Sequence, residues 1–437
     1  PVAIVMRSTP NHLATLFALH RLGAGALLLD PAEPPSLQRA LVAQVGARLA
    51  IGTDDPLGCA AAPLPRSTSG ADAPAVAPPG LDTVCFFGRS SGTTRGVPKL
   101  TPLTHEHERL RGQANGLAMP RTPADRYLAL VSMSFAFGCR SAQRALMNGG
   151  AIILPPPARR AEDVRAAAAT HGATWTALTP HHLRQLLAGA VPPLPFLPGV
   201  SILVSTAALT VAERIAVMER LSPDLYMSYG ANEVGGIVFA RPEDLRRHPG
   251  TVGRPLPGVE AEVLDDRGHP AAPGVVGELR FRHATFPKGY VAPQPGATSR
   301  FEDGWFHPGD LGLIDPEGLI FLKGRVDDLI NVGGRKVYPA DIEECLASHP
   351  AVAEAVALGL PASRRGQVAA VAVVARAPVT REELLAHCRA TIGPQRTPDR
   401  LQIVQEIPKT ELGKPDRRAL AARFLEADRR RFGGRDH

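Results

Sequence analysis

Several features that would decide a structural class are scarce in this sequence. The five cysteines are scattered and form no Cys-x-x-Cys pair, which argues against a disulfide scaffold or a zinc knuckle and fits a reducing cytoplasm. Only 5% of the residues are aromatic, and no basic cluster is interleaved with them, so we expect no nucleic-acid partner. No apolar run approaches the ~18 residues of a membrane span, so we expect no membrane partner. The sequence therefore predicts a cytoplasmic protein.

The length, charge and beginning of the chain set further bounds. The 437 residues, 44% of them hydrophobic, are enough for two or three domains. The net charge of +7 favours anionic partners such as nucleotides or coenzyme A, although a generally arginine-rich composition explains it equally well. The chain enters an apolar run directly after Pro1, without the charged segment that opens a signal peptide. The basic stretch Arg417–Arg435 is predicted to be a solvated helix with a frayed end.

The N-terminal two thirds of the sequence alternate between strand and helix patterns. Val2–Met6 and Ala26–Leu29 have the composition of buried strands, and Asn11–Leu22 between them has helical spacing. Further strands are predicted at Leu128–Ser132, Ala151–Leu154 and Ile202–Ser205, and further helices at Ser141–Met147, Ala161–Thr170 and Thr210–Arg220. The segment Ala60–Gly80 is predicted to be a flexible or extended surface loop. This alternation predicts an α/β fold with layered sheets.

The pattern changes twice in the last third of the chain. From about Gly253 the apolar runs become short and are separated by Gly and Pro, which favours a small antiparallel, barrel-like β region. After Gly324 a compact α+β module is predicted, with helices at Pro339–Leu346 and Arg381–Ala390 and strands at Val352–Leu358 and Val368–Val374. We therefore predict a large N-terminal domain over residues 1–325 and a small, mobile α+β lid domain over residues 326–437.

A candidate phosphate-binding segment follows the apolar run Thr83–Phe87. Residues 88–99 are rich in Gly, Ser and Thr and end on Lys99. Small residues let backbone N–H groups converge on phosphate oxygens, hydroxyls add donors, and a lysine supplies a compact cation. The segment is not a Walker loop, because Gly-Lys-Ser/Thr is absent. From these residues alone, a polar turn after a strand is as good an interpretation.

The same segment resembles the signature loop of the adenylate-forming superfamily, which comprises acyl- and aryl-CoA ligases, luciferases and the adenylation domains of peptide synthetases. The usual form is Ser-Gly-Thr-Thr-Gly-x-Pro-Lys. Here Arg95 stands where Gly is expected, Gly96 follows one place later, and Leu100 comes after the lysine. The resemblance implies that Lys99 is catalytic and that the nucleotide phosphates are bound by Ser90, Ser91, Gly92, Thr93 and Thr94.

The segment Tyr229–Glu233 resembles the Tyr-Gly-x-Thr-Glu segment of this superfamily. By resemblance, Tyr229 stacks on adenine, Gly230 lies in the nucleotide site, and Glu233 is catalytic and holds Mg²⁺. One carboxylate together with phosphate oxygens is a common way for proteins to bind Mg²⁺. Asn232 replaces the usual Thr, and its amide can still donate a hydrogen bond.

Two more segments continue the resemblance. Residues 304–312 resemble the Trp-x-x-Thr-Gly-Asp segment, with Pro308 in place of Thr, and Asp310 is implied to bind the ribose hydroxyls. Residues 324–339 resemble the hinge segment, in which Arg325 contacts the nucleotide and the lid domain rotates about Asp327. A surface ion-pair cluster is the alternative interpretation of the Arg-x-Asp-Asp pattern.

The hinge segment also contains residues implied to line the path of the acyl-accepting thiol, and the last motif contains a lysine implied to stabilise charge. Gly333 and Gly334 are implied to line the thiol tunnel, where small residues leave room. Pro408–Arg417 resembles the C-terminal lysine loop, so Lys414 is implied to be the catalytic lysine that stabilises charge in the transition state. Family members carry further residues ahead of the strand that corresponds to Val2–Met6, so the chain is either a short form or a fragment.

The resemblance implies a two-step reaction. The carboxylate of a small acid attacks the α-phosphate of ATP, pyrophosphate leaves, and a thiol then displaces AMP from the acyl-adenylate. It implies ATP, Mg²⁺ and coenzyme A, or a carrier-protein phosphopantetheine, as cofactors and co-substrates, and a monomer or homodimer. A domain rotation removes the lysine and brings the thiol path into place between the two steps.

The acid substrate is predicted from the segment Ser132–Gly138. Ala136 stands where amino-acid-activating domains carry an Asp for the substrate amine, and a buried unpaired ammonium costs several kcal/mol. Amino acids are therefore disfavoured. Phe135, Ala136, Phe137 and Gly138 instead resemble benzoate-type CoA ligases. Further pocket walls are predicted at His181, near Trp175 and Leu178, and at Ser205 and Ala207, although each of these residues could simply belong to the core.

An aryl-CoA ligase is the first hypothesis from the sequence, with Arg364, Arg365 and Arg396 as candidates for binding the 3′-phosphate of coenzyme A. The second hypothesis is the loading of an aryl or small acyl group onto an acyl carrier protein. A non-catalytic nucleotide-binding relative and an enzyme that transfers the acyl group to an amine are further alternatives.

Overall fold

The structure is a computed structural model that describes residues 1–55, 57–65, 76–94, 97–291, 300–362, 365–409 and 415–432. Packing divides the chain into two compact units, each built from several segments. Unit 1 consists of Pro1–Ala208, Ala216–Ala261 and Arg280–Pro308, and unit 2 consists of Leu209–Ile215, Glu262–Leu279 and Gly309–His437. The predicted domain boundary lies between residues 325 and 326 and separates a large N-terminal domain from a lid domain expected to rotate during catalysis. That boundary stays a prediction.

The first sheet of unit 1 contains the predicted β–α–β unit. Its strands have the order β4-β3-β1-β2-β5-β6, with β1 and β2 parallel and β5 and β6 antiparallel. Both β1 and β2 are apolar because parallel strands are covered on both faces. The helix between them begins after Thr9, whose side chain accepts a hydrogen bond from the His12 N–H. The elements are β1 (Val2–Val5), α1 (Pro10–Arg21), β2 (Ala26–Leu29), α2 (Pro35–Val45), β3 (Leu49–Ile51), β4 (Ala60–Ala62), β5 (Val84–Thr94), β6 (Val97–Thr104) and α3 (His105–Ala118).

The second sheet of unit 1 continues the alternation. Its elements are β7 (Arg126–Leu128), α4 (Ala136–Met147), β8 (Ala151–Ile153), α5 (Ala161–His171), β9 (Trp175–Leu178), α6 (Pro180–Gly189), β10 (Ser201–Val204), α7 (Val211–Arg220), β11 (Leu225–Ala231), β12 (Gly235–Ala240), α8 (Pro242–Arg247) and β13 (Arg254–Pro255). The strand order is β13-β12-β11-β10-β9-β7-β8, and the strands from β8 to β11 are parallel. In its core, the rings of Tyr127 and Trp175 lie 4.4 Å apart.

Two of the predicted boundaries in this sheet are corrected. The strand predicted at Leu128–Ser132 lies at Arg126–Leu128 instead. The helix predicted from Ser141 already begins at Ala136, because Phe135 has the extended backbone of an N-cap residue and Gly138 fits closely against the Ser132 carbonyl.

The Gly- and Pro-rich region after β13 supplies strands to both units. Its elements are β14 (Glu260–Leu264), β15 (Gly277–Arg282), β16 (Phe301–Glu302), β17 (Trp305–Phe306), β18 (Asp310–Ile314) and β19 (Ile320–Arg325). In unit 1, β15 pairs with β17 at Phe281 and Phe306; in unit 2, it pairs with β18 at Gly277 and Gly312. Within the described residues no closed barrel forms, since β16 and β17 have two residues each and are too short to close one. The barrel expectation is corrected accordingly.

The rest of unit 2 is an α+β module, as predicted. Its elements are β20 (Ile330–Val332), β21 (Arg335–Val337), α9 (Pro339–Ala347), β22 (Val352–Ala362), β23 (Gly366–Ala375), α10 (Arg381–Ile392), β24 (Arg400–Val404) and α11 (Arg417–Phe432). The prediction of a solvated helix from Arg417 is wrong for one face of α11, because Leu420 and Phe424 are buried against β22 and β23. No helix in the described part of the chain is long and apolar enough to cross a bilayer.

Candidate active site

The predicted phosphate segment lies in the hairpin of β5 and β6. The strand that the sequence predicts at Thr83–Phe87 continues to Thr94, since Ser and Thr are well tolerated in strands. The pairing is irregular between Arg89 and Thr93, which is where the loop was expected. Arg95 and Gly96 lie outside the described residues, as do the side chains of residues 91–94, which include the predicted phosphate ligands Ser91, Gly92, Thr93 and Thr94.

Ser90 and Lys99 face each other across this hairpin. The buried Ser90 hydroxyl accepts a hydrogen bond from the Lys99 backbone N–H at 3.0 Å. The Lys99 ammonium lies 5.1 Å from the ring centroid of Tyr290, within cation–π range. On the neighbouring position, Arg89 forms an ion pair with Glu33 at 2.6 Å. These contacts hold the base of the predicted phosphate segment in one conformation.

The structure brings the first two sequence motifs into direct contact. A Cβ atom placed on Gly88 would lie 2.4 Å from the backbone oxygen of Asn232. Only glycine allows this approach. The predicted phosphate segment and the Tyr229–Glu233 segment, 144 positions apart in sequence at these two residues, are therefore one local site.

Glu233 lies in the turn between β11 and β12 and is 5% exposed. One of its carboxylate oxygens accepts a hydrogen bond from the Tyr290 hydroxyl at 3.2 Å. Burial, together with the Glu233 carboxylate, raises the pKa of Tyr290, so the phenol stays protonated and donates. Lys99, Tyr290 and Glu233 thus form a connected row. The sequence did not predict Tyr290, because no motif marks it and the contact exists only in the folded chain.

Glu233 fits a magnesium ion that is bound mainly by the substrate. Among the described residues there is no group of three or more His, Cys, Asp or Glu side chains that could hold a metal ion. Mg²⁺ in nucleotide sites usually takes one or two carboxylates and completes its shell with phosphate oxygens and water. Glu233, a single buried carboxylate beside the phosphate segment, could serve as such a ligand.

Tyr229 and Gly230 are fixed by the same hairpin. The ring centroid of Tyr229 lies 5.9 Å from that of Phe281, and the two ring planes are inclined by 50°. The pairing of β11 and β12 is irregular between Tyr229 and Gly230, and a Cβ atom on Gly230 would overlap the Gly235 carbonyl. The hairpin therefore presents Tyr229 and Glu233 from its tip with little freedom.

The predicted site residues of unit 2 lie on strand ends and turns. Asp310 accepts a hydrogen bond from the Arg325 guanidinium at 2.8 Å, and the two residues are paired across β18 and β19. Asp327 is exposed in the turn that follows β19. Gly333 and Gly334 have φ values of +60° and +86° in the two-residue turn between β20 and β21, which is typical of a type I′ hairpin turn. Both φ values favour glycine whether or not a thiol passes there.

Lys414 lies outside the described residues. The segment that contains it is flanked by Lys409 and Pro415, which form a backbone bridge with each other. Arg364 also lies outside the described residues. The other two candidates for coenzyme A binding have carboxylate partners: Arg365 pairs with Asp399 at 3.5 Å, and Arg396 pairs with Asp341 at 3.6 Å.

A cavity of about 410 Å³ in unit 1 borders the β11–β12 hairpin. Of the predicted pocket residues, Phe137 and Ser205 line it, and the Ser205 hydroxyl donates to the Ser228 carbonyl at 2.8 Å. Gly230 and Ala231 of the Tyr229–Glu233 segment line it as well. The cavity therefore adjoins the predicted nucleotide motif.

The other predicted pocket residues do not line this cavity. Phe135 is the exposed N-cap residue of α4, Ala136 begins that helix, and Gly138 packs against backbone. His181 and Ala207 are exposed. Trp175 and Leu178 are fully buried and belong to the core, which was the alternative to a role in the pocket wall.

The sequence did not predict the charged side chains that α3 and α4 bring to the cavity. Glu108 of α3 accepts a hydrogen bond from Arg140 of α4 at 2.7 Å, and it lies 3.7 Å from Arg111. Burial would raise the pKa of Glu108, but the two guanidinium groups outweigh burial and bring it to about 2. The spacing of Glu108 and Arg111 at i and i+3 on a helix is the one signal in the sequence that could have shown part of this group.

Comparison with known proteins decides the family. The profile described as "AMP-binding enzyme" matches residues 1–291, and the one described as "AMP-binding enzyme C-terminal domain" matches residues 341–414. The chain belongs to the AMP-binding enzyme family. The predicted membership of the adenylate-forming superfamily is thereby confirmed.

Relatives of this AMP-binding enzyme include named CoA ligases. The chain is 31% identical to a probable CoA ligase from Humulus lupulus, over 84% of this chain and 71% of that protein. It is 33% identical to a sulfoacetate–CoA ligase from Cupriavidus necator, over 78% of this chain and 68% of that protein. A solved amide bond synthetase from Marinactinospora thermotolerans matches with a TM-score of 0.84 and 26% identity, over 97% of this chain and 89% of that one.

These similarities confirm the predicted fold class and reaction type. The AMP-binding enzyme has the mixed α/β architecture of the adenylate-forming enzymes. It is an AMP-forming acid–thiol ligase that activates its acid with ATP as an acyl-adenylate.

Proposed function

We propose that this AMP-binding enzyme converts an aromatic carboxylic acid into its coenzyme A thioester. The observation that carries the proposal is the shared hairpin: Gly230 and Ala231 line the cavity, and Glu233, a few residues further along the same turn, adjoins the phosphate segment through Asn232 and Gly88. An acid in this cavity would present its carboxylate to a nucleotide held at the hairpin tip. Proximity of this kind can supply several kcal/mol of the activation barrier.

The phosphate side of the site is proposed to bind the triphosphate of ATP. Ser90, Lys99 and the hairpin backbone would contact phosphate oxygens, and Glu233 would hold Mg²⁺ together with those oxygens. Mg²⁺, when bound, neutralises phosphate charge. The Tyr290 hydroxyl keeps Glu233 oriented through its 3.2 Å hydrogen bond. Tyr229 would provide a face for adenine.

The unit 2 residues are proposed to act on the rest of the nucleotide and in the second step. Asp310, oriented by Arg325 at 2.8 Å, would accept hydrogen bonds from the ribose. Lys414 would stabilise the negative charge that develops at the α-phosphate. Gly333 and Gly334 would line the path of the thiol. Rotation of the lid domain about Asp327 would switch the enzyme from the adenylation step to the thiol-transfer step.

The cavity supports an aromatic acid. Its volume of about 410 Å³ lies in the range of small-molecule sites. The aromatic residues Phe86 and Phe137 are among its lining residues. Amino acids are disfavoured only by the sequence position of Ala136, which begins α4 and does not line this cavity.

The acceptor is the less constrained part of the proposal. The names of the two CoA ligase relatives support coenzyme A. Loading of a carrier-protein phosphopantetheine uses the same chemistry at the thiol. Transfer to an amine is the second candidate, because one solved relative is named an amide bond synthetase.

Pyrophosphate release in the presence of ATP and Mg²⁺ tests the proposal. The panel comprises benzoates, cinnamates, short fatty acids and amino acids, each with and without coenzyme A. We expect aryl acids to release pyrophosphate, and coenzyme A to yield AMP and an aryl thioester. If product forms without coenzyme A but only with an added carrier protein or amine, that carrier protein or amine is the acyl acceptor instead of coenzyme A. Activity with amino acids alone would contradict the argument from Ala136.

A further inference from the structure

The cavity beside the β11–β12 hairpin carries more positive than negative charge. Its lining includes one carboxylate, that of Glu108, and four guanidinium groups, those of Arg109, Arg111, Arg140 and Arg144. Arg109 is already paired with Glu106 at 2.7 Å. Glu108 is thus the one carboxylate in the lining for the other three arginines, and it lies within 4 Å of two of them, Arg111 and Arg140.

The histidines of this cavity add no charge near neutral pH. Burial, and to a lesser extent His105, lowers the pKa of His20 to about 4. Burial likewise lowers the pKa of His105. Both rings are uncharged at pH 7, so the excess of positive charge comes from the arginines.

Two of the three arginines are engaged by the protein itself. Arg144 donates from one nitrogen to the backbone carbonyls of Asn115 and Met119, both at 2.7 Å. Arg140 donates to Glu108 at 2.7 Å and lies over the ring of Phe86. Packing and direct hydrogen bonds account for the positions of both side chains.

Arg111 differs from these two. Its Nη1 atom lies 3.7 Å from Glu108, beyond hydrogen-bond distance. That atom is buried and has no hydrogen-bond partner among the described residues, and the same holds for Nε of Arg140 and Nε of Arg144. Arg140 and Arg144 form hydrogen bonds through another nitrogen, whereas the Arg111 side chain forms none with the described residues. A buried polar atom without a partner costs about 1–3 kcal/mol, and more when the group is charged, so the site is incomplete as it stands.

The β11–β12 hairpin makes room for the Arg111 guanidinium. A Cβ atom on Gly235 would lie 1.5 Å from its central carbon, so any other residue at this position would overlap it. Gly235 also has a φ of +77°, which favours glycine. The guanidinium thus lies against the strand that continues from the Glu233 turn, inside the cavity proposed for the acid.

We propose that Arg111 binds a second anionic group on the acid substrate, a carboxylate or a sulfonate, in addition to the carboxylate that reacts with ATP. The planar guanidinium fork matches such groups, and the pairing is strong where water is excluded. An acid without a second anion leaves Arg111 with the Glu108 carboxylate alone as its counter-charge, at 3.7 Å and shared with Arg140. The inference rests on the proposed function, because it assigns the cavity to the acid.

The test uses pairs of acids that differ in the second anionic group. On the full chain, kcat/KM for pyrophosphate release is measured with benzoate, isophthalate and 3-sulfobenzoate, and with butyrate and succinate. We expect the dianionic member of each pair to be favoured by about 10- to 100-fold. The isophthalate and 3-sulfobenzoate arms decide between a carboxylate and a sulfonate.

Variants locate this preference at Arg111. Arg111→Met is expected to remove the advantage of the dianionic acid and to leave the monoanionic acid within about threefold, and Arg111→Lys should restore part of the advantage. Arg39→Met makes the same chemical change on the exposed face of α2 and should leave kcat/KM unchanged for both the dianionic and the monoanionic acids. Thermal unfolding shows whether each variant is folded; Arg111→Gln replaces Arg111→Met if the latter is not.

Two outcomes overturn the inference. The first is equal or better turnover of the monoanionic acids, and the second is an equal loss for both classes in Arg111→Met. Failure of every acid to release pyrophosphate would contradict the proposed function instead. In that case calorimetric binding decides the anion site: tighter binding of isophthalate than benzoate that disappears in Arg111→Met supports it, and equal binding of the two acids overturns it.

Discussion

Glu233 and Gly88 in unit 1 are buried and in close contact with their neighbours, whereas the predicted hinge and thiol-path residues of unit 2 lie in exposed turns. In unit 1, Glu233 is 5% exposed and bonded to Tyr290, and Gly88 touches the backbone of Asn232. In unit 2, Asp327 is exposed, and a Cβ atom on Gly334 would meet open space. Residues buried in a rigid scaffold can hold charges at fixed positions, whereas exposed turns can change conformation without repacking a core.

The largest expected effect is at the buried carboxylate of unit 1. Glu233→Gln should lower pyrophosphate release by about 100- to 1,000-fold, because it removes the proposed Mg²⁺ ligand at the triphosphate. Tyr290→Phe, which deletes only the orienting hydroxyl, should cost about tenfold or less. The measurement is kcat/KM as a function of Mg²⁺ concentration. Near-normal activity of Glu233→Gln with an unchanged Mg²⁺ dependence would contradict the proposed role.

The buried histidine of α3 gives a prediction about pH. His107 is 2% exposed, and its ring bonds to the Thr285 carbonyl at 3.0 Å. Burial lowers its pKa from 6.5 to about 4. The unfolded chain therefore binds the proton first, so stability is complete above about pH 6.5 and is lost as the pH falls towards 4, on the order of 2–3 kcal/mol.

The control for this pH effect is an exposed histidine of the same unit. His107→Gln should flatten the dependence of the unfolding free energy on pH between 6.5 and 4, and His181→Gln is the matched control substitution at an exposed position. The slope is obtained from denaturant unfolding at several pH values. An identical slope in wild type and His107→Gln would show that this ring is not the group that takes up the proton.

The contact between Gly88 and Asn232 can be tested by adding one methyl group. Gly88→Ala should destabilise the protein by about 1–3 kcal/mol, because the new Cβ would lie 2.4 Å from the Asn232 oxygen. Gly116→Ala in α3, where a Cβ meets nothing within 4 Å, should stabilise it by about 0.5–1 kcal/mol. Denaturant unfolding measures both. Equal shifts in the two variants would mean that the two motifs do not touch.

The smallest expected effect is in the exposed turn of unit 2. Gly334→Ala should slow thioester formation by about 3- to 10-fold through strain at φ +86°, and pyrophosphate release without coenzyme A should stay within about twofold. Gly274→Ala carries the same strain at φ +83° in another turn of unit 2 and should affect neither step. If Gly334→Ala lowers the rates of pyrophosphate release and thioester formation equally, the proposed specific role of this unit 2 turn in the second step is contradicted.

The alternation of buried strands and helices could be predicted because it is written in local patterns. β1, β2 and α1 have long apolar runs or regular apolar spacing, and they lie where the sequence predicts them. Helix α3 was missed because only His107 and Ala118 are buried along its 14 residues. Without an apolar period there was no helical signal.

The missed helix explains what the sequence could not show about the acid pocket. Glu108 and Arg111 belong to α3, and the contact of Glu108 with Arg140 depends on the packing of α3 beside α4. The nucleotide motifs, in contrast, are short contiguous segments and could be located directly. Tyr290 was missed for the same reason as the arginines, because its contacts with Lys99 and Glu233 are tertiary.

The fate of the acid oxygens tests the central claim most directly. The acid is labelled with ¹⁸O in its carboxylate, and the AMP formed after addition of coenzyme A is analysed by mass spectrometry. If the carboxylate attacks the α-phosphate, AMP will carry one labelled oxygen and the thioester will keep the other. Unlabelled AMP, or label found in pyrophosphate, would contradict acid activation through an acyl-adenylate.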